Sequence, residues 1–380
     1  MKRFAKIKGS KKSQYFFRIT WIAFLCIVSA LLARYALIGI SDMLAIGNPA
    51  DTVMIEIPEN SSLDSIAEIL KQNKIISQKE FFKLYARATK AAASFSSGIY
   101  EMDTSMDYQA IINHLKNQSN IKNVSEITFT EGMSVTDYAN LLEKEHVCNK
   151  EDFLKCCNSR QFDDKYPFIK DISNAENRIY KLEGYLFPDT YKFYQGENPS
   201  DIIIKLLNNY QKKVMKRADI EGHKEKASIK ELAENKGMDM DTLINIASLI
   251  QAEAANKEDM YKVSSVIQNR LATLHTGGQN SLGEFSLGIL RIDSTVYYPY
   301  KNKASVPKSI APTFHSTYDT YNIEGLPPGP ICNPGMDAIL AALDPEKTDY
   351  YYYCHSSSGE AFYARTNAEH SANLKKAGLA

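Results

Sequence analysis

No excess of charge marks this chain. Its 45 Lys and Arg balance 45 Asp and Glu, so no global field draws it to nucleic acid. Cysteine supplies no framework either. Of six cysteines, Cys26 lies in an apolar N-terminal run; Cys148, Cys156, Cys157, Cys332 and Cys354 show no CxxC or His-linked spacing. Neither a disulfide scaffold nor a zinc site is implied, and the adjacent pair Cys156–Cys157 reads as a packed helix edge. Ser-His-Asp ordering and HExxH spacing are absent as well, which leaves a peptidase little support. With 380 residues, 44% hydrophobic and 24% charged, the chain has room for two ordinary soluble domains plus extras.

The N-terminus carries the first positive signal. Lys2, Arg3, Lys6, Lys8, Lys11, Lys12 and Arg18 all precede the first acidic residue, Asp42. An apolar stretch from Ile19 to Ile40 follows, interrupted by Arg34. As one helix it would rise about 33 Å, enough for a hydrocarbon core of about 30 Å. Arg34 sits near one end, where its side chain can reach the headgroups. The basic tail predicts a cytoplasmic N-terminus with the remainder exported. The competing reading is a cleaved signal peptide, with small residues at Ser29, Ala30 and Ala33; the length of the apolar run favours an anchor.

Next comes a repeat. Thr52 to Ile57 reads as a strand, Pro58 to Ser62 as a turn, Leu63 to about Gln72 as an amphipathic helix, and a short helix opens near Ser77. The pattern recurs as strand Glu126–Phe129, turn Thr130–Ser134, a helix from Val135 to about Lys144 and a helix opened by Asn149. Glu59 and Glu131, Ser62 and Ser134, Ala67 and Ala139, Leu70 and Leu142, and Phe81 and Phe153 each lie 72 residues apart. Repeated turn chemistry with Ser62 and Ser134 as helix caps suggests two copies of one module, either LysM-like and polysaccharide-holding or purely structural.

The segment Asn245–Ala254 is a helical run with one carboxylate. Glu253 follows Leu249 and Ile250 by four and three residues and Ile246 by seven, so all four share a face. A carboxylate among apolar side chains loses solvation and holds a proton nearer neutral pH, as a general acid must. The competing reading is a helix-edge glutamate that reaches water. Asn256 can cap a second helix with Glu258 and Asp259 in its first turn. Upstream, Leu182–Tyr191 alternates aromatics with Gly, Pro, Asp and Thr, suiting a loop whose rings stack on sugar faces, or a buried tyrosine-rich turn. A polar helix is expected over 201–216, a charged connection over 221–226 and a polar, glycine-bearing stretch over 276–283. Gly325–Ile331 and Asn333–Gly335 form a rigid proline-glycine loop. A short helix (Met336–Leu343), a tyrosine-rich strand (Asp349–Cys354) and a partner strand near Ala361–Ala364 close the reading.

Six motifs in order carry a resemblance: EGYLFPDTY (Glu183–Tyr191), ASLIQAEA (Ala247–Ala254), VSSVIQNRL (Val263–Leu271), LRIDSTV (Leu290–Val296), YDTYNIEGLPPGPICNPG (Tyr318–Gly335) and TNAEH (Thr366–His370). Together they resemble the MltG-type, YceG-like endolytic murein transglycosylases of bacteria, over nearly the whole chain. The resemblance implies cleavage of MurNAc–GlcNAc bonds in nascent peptidoglycan to give 1,6-anhydro ends, terminating glycan elongation, without metal or cofactor. It puts Glu253 at the catalytic position. It implies saccharide-facing or supporting roles for Glu183, Tyr185, Phe187, Asp189, Tyr191, Asn269, Arg270, Asp293, Thr295, Tyr321 and Asn333, with Glu183, Asp189 and Asp293 as reserve carboxylates. The chain departs from the family pattern at Gln251, an acidic position there; at Arg291, Ile292 and Ser294; and at Gly359–Phe362, where a glycine-histidine-phenylalanine run is usual.

The expected fold is α+β. A basic tail (1–18) and a transmembrane helix (19–40) precede a LysM-like module (50–120) and a catalytic domain (121–380) whose start, 124–157, repeats the module pattern. That domain should have a helical core bearing Glu253 and a β-rich flank. Expected partners are glycan strands, the bacterial cell membrane as a single-pass anchor and, by resemblance, cell-wall synthases and the elongation or division machinery; nucleic acid is not among them. Two alternatives stay open: a hydrolytic muramidase and a non-catalytic LysM-like scaffold.

Overall fold

The computed structural model describes residues 11–91, 94–118, 121–172, 174–221, 225–276 and 289–380. The chain divides into two compact units, 1–124 and 125–380. Most of the basic tail, the charged connection at 222–224 and all but the first residue of the expected polar stretch at 276–283 lie outside the described residues.

In the first unit, helix α1 (Lys11–Met43) is longer than the expected span. Its segment Tyr15–Met43 is long and apolar enough to cross a membrane, with a mean hydropathy of 2.1 and none of that window buried. There follow β1 (Thr52–Ile57), α2 (Leu63–Gln72), α3 (Lys79–Ala88), β2 (Gly98–Asp103), α4 (Tyr108–Lys116) and β3 (Ile121–Lys122). The sheet order is β1-β2-β3; β1 pairs antiparallel with β2, placing Ile55 opposite Tyr100. Ile55 and Ile57 alternate inward against Ile66, Leu70, Phe82, Tyr100 and Leu115. Ser62 caps α2 by accepting from the Ser65 amide. One buried acid closes the unit. Asp42, near the end of α1, accepts from the Ser77 and Gln78 amides at 2.7 Å each and from the Tyr108 hydroxyl.

The second unit opens with β4 (Val124–Thr128), α5 (Val135–Lys144), α6 (Lys150–Cys157), α7 (Pro167–Lys170) and β5 (Thr190–Tyr194), and β4 pairs with β5. Both members of the sequence repeat therefore close as strand, helix, helix and returning strand. In the second, residues 158–189 are inserted before the return. Ser134 and Asp137 form a capping box on α5, and Asn149 caps α6. Then come α8 (Pro199–Tyr210), which runs into a π-helical turn at Gln211–Met215, and α9 (Ile229–Asn235), α10 (Met240–Glu253) and α11 (Lys257–Ala272). A 3₁₀ turn at Asp293–Thr295 precedes a long irregular passage to α12 (Met336–Leu343). The hairpin β6 (Tyr352–His355) and β7 (Ala361–Ala364) and helix α13 (Asn367–Lys376) finish the chain. Helix α10 packs on α11 and α12; Leu243, Ile244, Ala247, Leu249 and Ile250 on it are completely buried.

The α+β expectation holds, and the expected β-rich flank is a single two-stranded hairpin. Strand β6 starts at Tyr352 rather than Asp349. Thr190 and Tyr191, expected in a loop, begin β5 because they complete the sheet begun by β4. Helices α9 and α13 and the β2–α4 pair had no counterpart in the sequence reading.

Candidate active site

Helix α10 ends where the site begins. Ala254 turns extended (φ −77°, ψ 142°), so Glu253 is the last helical residue, and Asn256 starts α11 by accepting from the Asp259 amide. The corner between the helices is braced by Asp259, which accepts from the Ala255 amide at 2.8 Å. It also meets His355 Nε2 at 2.7 Å and the Tyr363 hydroxyl, tying the corner to the β6–β7 hairpin.

Glu253 is half-buried on one wall of a cleft of about 520 Å³. Oε2 accepts from the Tyr353 hydroxyl at 2.9 Å, and Oε1 from the Ser294 amide at 3.3 Å. Desolvation and the nearby Glu253 charge push the Tyr353 hydroxyl well above the usual phenol range, so it remains a donor. The expected apolar setting stops short of the carboxylate. Ile246, Leu249 and Ile250 point into the core, while the cleft around Glu253 is lined mostly by polar groups, with Leu374 and Leu379 also on its wall, because the helix ends there and its last turn meets the hairpin and the 3₁₀ turn.

Arg270, Asp293 and Tyr321 line the same cleft. The Arg270 guanidinium donates through Nε to the Tyr351 carbonyl at 2.7 Å and through Nη1 to the Leu290 carbonyl, and lies 5.7 Å from the Tyr353 ring centre. Asp293 accepts from the Tyr321 hydroxyl at 2.6 Å; burial and that contact push the hydroxyl up to about 12. The sequence reading assigned no role to Arg291, Tyr352, Tyr353, His355 or His370, which also line the cleft. His370 stacks on Tyr352 with ring centres 5.2 Å apart. Burial and Arg270 hold it below the usual histidine value, so it is neutral at pH 7. The signal available for His370 was its place in the TNAEH motif; for Tyr353, nothing local distinguishes it from its tyrosine neighbours.

The remaining sequence-derived candidates lie elsewhere. Glu183, fully buried, receives the Val135 amide at 3.0 Å, the Asn333 amide nitrogen Nδ2 at 3.2 Å and the Tyr298 hydroxyl at 2.9 Å. Val135 is the first residue of α5, so this carboxyl also satisfies an orphan amide at the positive end of a helix. Burial outweighs these donors and raises Glu183 to about 8. Asn333 Oδ1 accepts from the Gly184 and Leu186 amides, and its Nδ2 donates to the Met133 carbonyl at 3.1 Å. It thereby sews three loops together. Gly184 sits at φ +88°, and a Cβ there would lie 2.6 Å from Pro330. Of the two roles expected of them, saccharide-facing or supporting, Glu183 and Asn333 take the supporting one inside the fold, since neither has exposed surface.

Of the two readings of the aromatic segment, the buried tyrosine-rich turn is the one its packing matches. Tyr185 is buried and donates to Asp241 at 2.7 Å, Phe187 is buried, and Tyr191 donates to the Phe187 carbonyl at 2.6 Å. These rings pack in the core rather than stacking on a ligand. Asp189 accepts from Asn209 Nδ2 at 3.0 Å, a contact that lowers its pKa. Asn269 donates to the Thr348 and Tyr350 carbonyls, and buried Thr295 bonds Thr320 at 2.9 Å. Gln251, at the departure from the family pattern, accepts from the Gly335 amide at 3.0 Å. With Asn245 and Ser248 it holds the proline-glycine loop against α10.

Residues 55–376 match the YceG-like family. The chain belongs to that family. It is 33% identical over 332 residues to the endolytic murein transglycosylase of Bacillus subtilis (strain 168), covering 86% of this chain and 84% of that one. It is 24% identical over 378 residues to the endolytic murein transglycosylase of Streptococcus pneumoniae (strain D39), covering 94% of this chain and 64% of the pneumococcal protein's length. A crystal structure of a yceG-like protein from Listeria monocytogenes aligns over 86% of this chain and 100% of its own, with a TM-score of 0.52 and 25% identity. Among the described residues of this YceG-like chain, the cleft brings together four of the twelve sequence-derived candidates: Glu253, Arg270, Asp293 and Tyr321.

Proposed function

We propose that this chain is a membrane-anchored endolytic murein transglycosylase in which Glu253 is both acid and base. The observation that carries the reading is a glutamate opening into a polar, saccharide-sized cleft in a YceG-like chain whose relatives bear that name. Protonated Glu253 donates to the glycosidic oxygen as the bond to C1 of MurNAc breaks. The resulting carboxylate then takes the proton of the C6 hydroxyl while O6 closes on C1. No water is consumed, and the product is a 1,6-anhydro end. Arg270 and Tyr321 lie on the cleft walls, where they can orient the sugar.

Asp293 in the same cleft favours a second reading, a muramidase with two working carboxylates. Digestion of peptide-bearing glycan by the full-length protein separates the two: the anhydro product is one water lighter than the hydrolytic one. If Glu253→Gln protein released muropeptides at the parental rate, both enzymatic readings would fail and a wall-binding scaffold would remain. The twofold strand-helix-helix-strand arrangement supports LysM-like, glycan-holding modules. The apolar segment Tyr15–Met43 supports the anchor, and the basic residues before it support a cytoplasmic N-terminus. Protease protection of an N-terminal tag in intact cells tests that orientation; digestion of the tag from outside would overturn it.

A further inference from the structure

Beyond Glu253 itself, the geometry points to Tyr353 as a positioning residue, whose hydroxyl fixes the carboxylate in the one rotamer that faces the cleft. The inference rests on the assignment of Glu253 made above. A glutamate at a helix end has three side-chain torsions to fix, and freezing them during the reaction slows it. Here both oxygens are already held: Oε2 by the Tyr353 hydroxyl at 2.9 Å and Oε1 by the Ser294 amide at 3.3 Å.

Tyr353 is itself held, which is why it can position something else. It alternates with Tyr352 and Cys354 on β6, so its side chain leaves the strand on the same side as that of His355. His355 is bonded to Asp259 at the start of α11, and the two rings meet edge to face at 5.8 Å. The preceding carbonyl, Tyr351 O, receives Arg270 Nε at 2.7 Å, and the same guanidinium lies over the Tyr353 ring. The strand is therefore stapled to the two ends of α11, by Asp259 at its start and Arg270 in its last turn. By contrast, the hydroxyl donor to Asp293 among the described residues, Tyr321, is 46% exposed.

The hydroxyl donates to the ionised carboxylate, so its loss makes that form less favourable. A general acid loses activity as pH rises past its own ionisation, so the descending limb of the pH–rate profile must move up. Arg270, Arg291, Asp293, Tyr321, His355 and His370 also face this cleft. All are retained when only the Tyr353 hydroxyl is removed.

The test uses full-length protein on peptide-bearing glycan. Tyr353→Phe should lower kcat by about 10- to 100-fold, leave KM within about twofold, and raise the descending limb by about one pH unit. The thermal midpoint, measured alongside, separates positioning from packing. Should the variant fail to fold, 3-fluorotyrosine at position 353 keeps the shape and strengthens the donor, and the limb should then move down. A Tyr353→Phe enzyme with parental kcat and an unmoved limb would overturn the inference, as would an unmoved limb with 3-fluorotyrosine. A fall in kcat with an unmoved limb and a lower midpoint would reduce Tyr353 to packing and overturn it equally. Full activity in Glu253→Gln would instead bring down the reading beneath it, so the two failures are distinguishable.

Discussion

Two glutamates in the second unit, both drawn from motifs, have opposite surroundings. Glu183 is sealed among Val135, Tyr298 and Asn333 and has no exposed surface. Glu253 is half open to a cleft and held by two donors. The sealed one has the strongly raised pKa, about 8, that is often taken as a mark of a catalytic acid. Yet no substrate can reach it. A perturbed carboxyl that closes a helix N-terminus and bonds three segments is a feature of the fold; access, rather than proton affinity, separates it from a reacting group.

Exchanging the two side chains one at a time sharpens that contrast. The largest effect should come from Glu253→Gln: a loss of activity of about 10³-fold or more, since proton transfer is removed, with the thermal midpoint nearly unchanged because the replacement is close to isosteric. Product mass spectrometry and calorimetry read both. Glu183→Ala should do the reverse, costing about 2–4 kcal/mol of stability through three orphaned donors and a small cavity. Activity per folded molecule should survive, as denaturant titration with an active-fraction assay would show. If Glu183→Gln were instead stable and inactive, the contrast would be broken.

A subtler effect is the pH dependence of stability. The folded-state pKa of Glu183 is raised above its unfolded value of 4.5 to about 8. The native state therefore binds the extra proton, and this contribution is complete below about pH 4.5 and lost as pH rises through about 8. Chemical denaturation between pH 5 and 9 should show that decline in the parent and a flatter profile in Glu183→Gln. An identical slope in both proteins would mean that another group is responsible.

Local chemistry made much of the scaffold legible. Strand Thr52–Ile57 and helix Met336–Leu343 were readable to the residue, and helices Leu63–Gln72 and Val135–Lys144 from their starts to their approximate ends, since alternation, capping serines and proline-glycine punctuation act within a few positions. The site was only partly legible. Glu253 and Asp293 stand out in their motifs, but Tyr353 meets Glu253 across 100 residues of sequence. Which of their two expected roles Glu183 and Asn333 take was not legible for the same reason: the contact that buries them spans 150 residues. The aromatics of Leu182–Tyr191 look identical whether they wait for a sugar or fill a core, and only distant rings decide: Phe168 and Tyr210 pack against Tyr185, and Phe129 and Phe193 against Tyr191.

If α1 anchors the chain as proposed above, the Asp42 clasp has a mechanical meaning. A lipid-embedded stem that ended in a loose linker would let its first module swing over a wide arc. Here the stem's last turn is riveted to the α2–α3 bend and to Tyr108, so stem and module must tilt as a single lever. Faster amide exchange at Ser77 and Gln78 in Asp42→Ala would reveal the rivet giving way, and unchanged exchange would deny it that role.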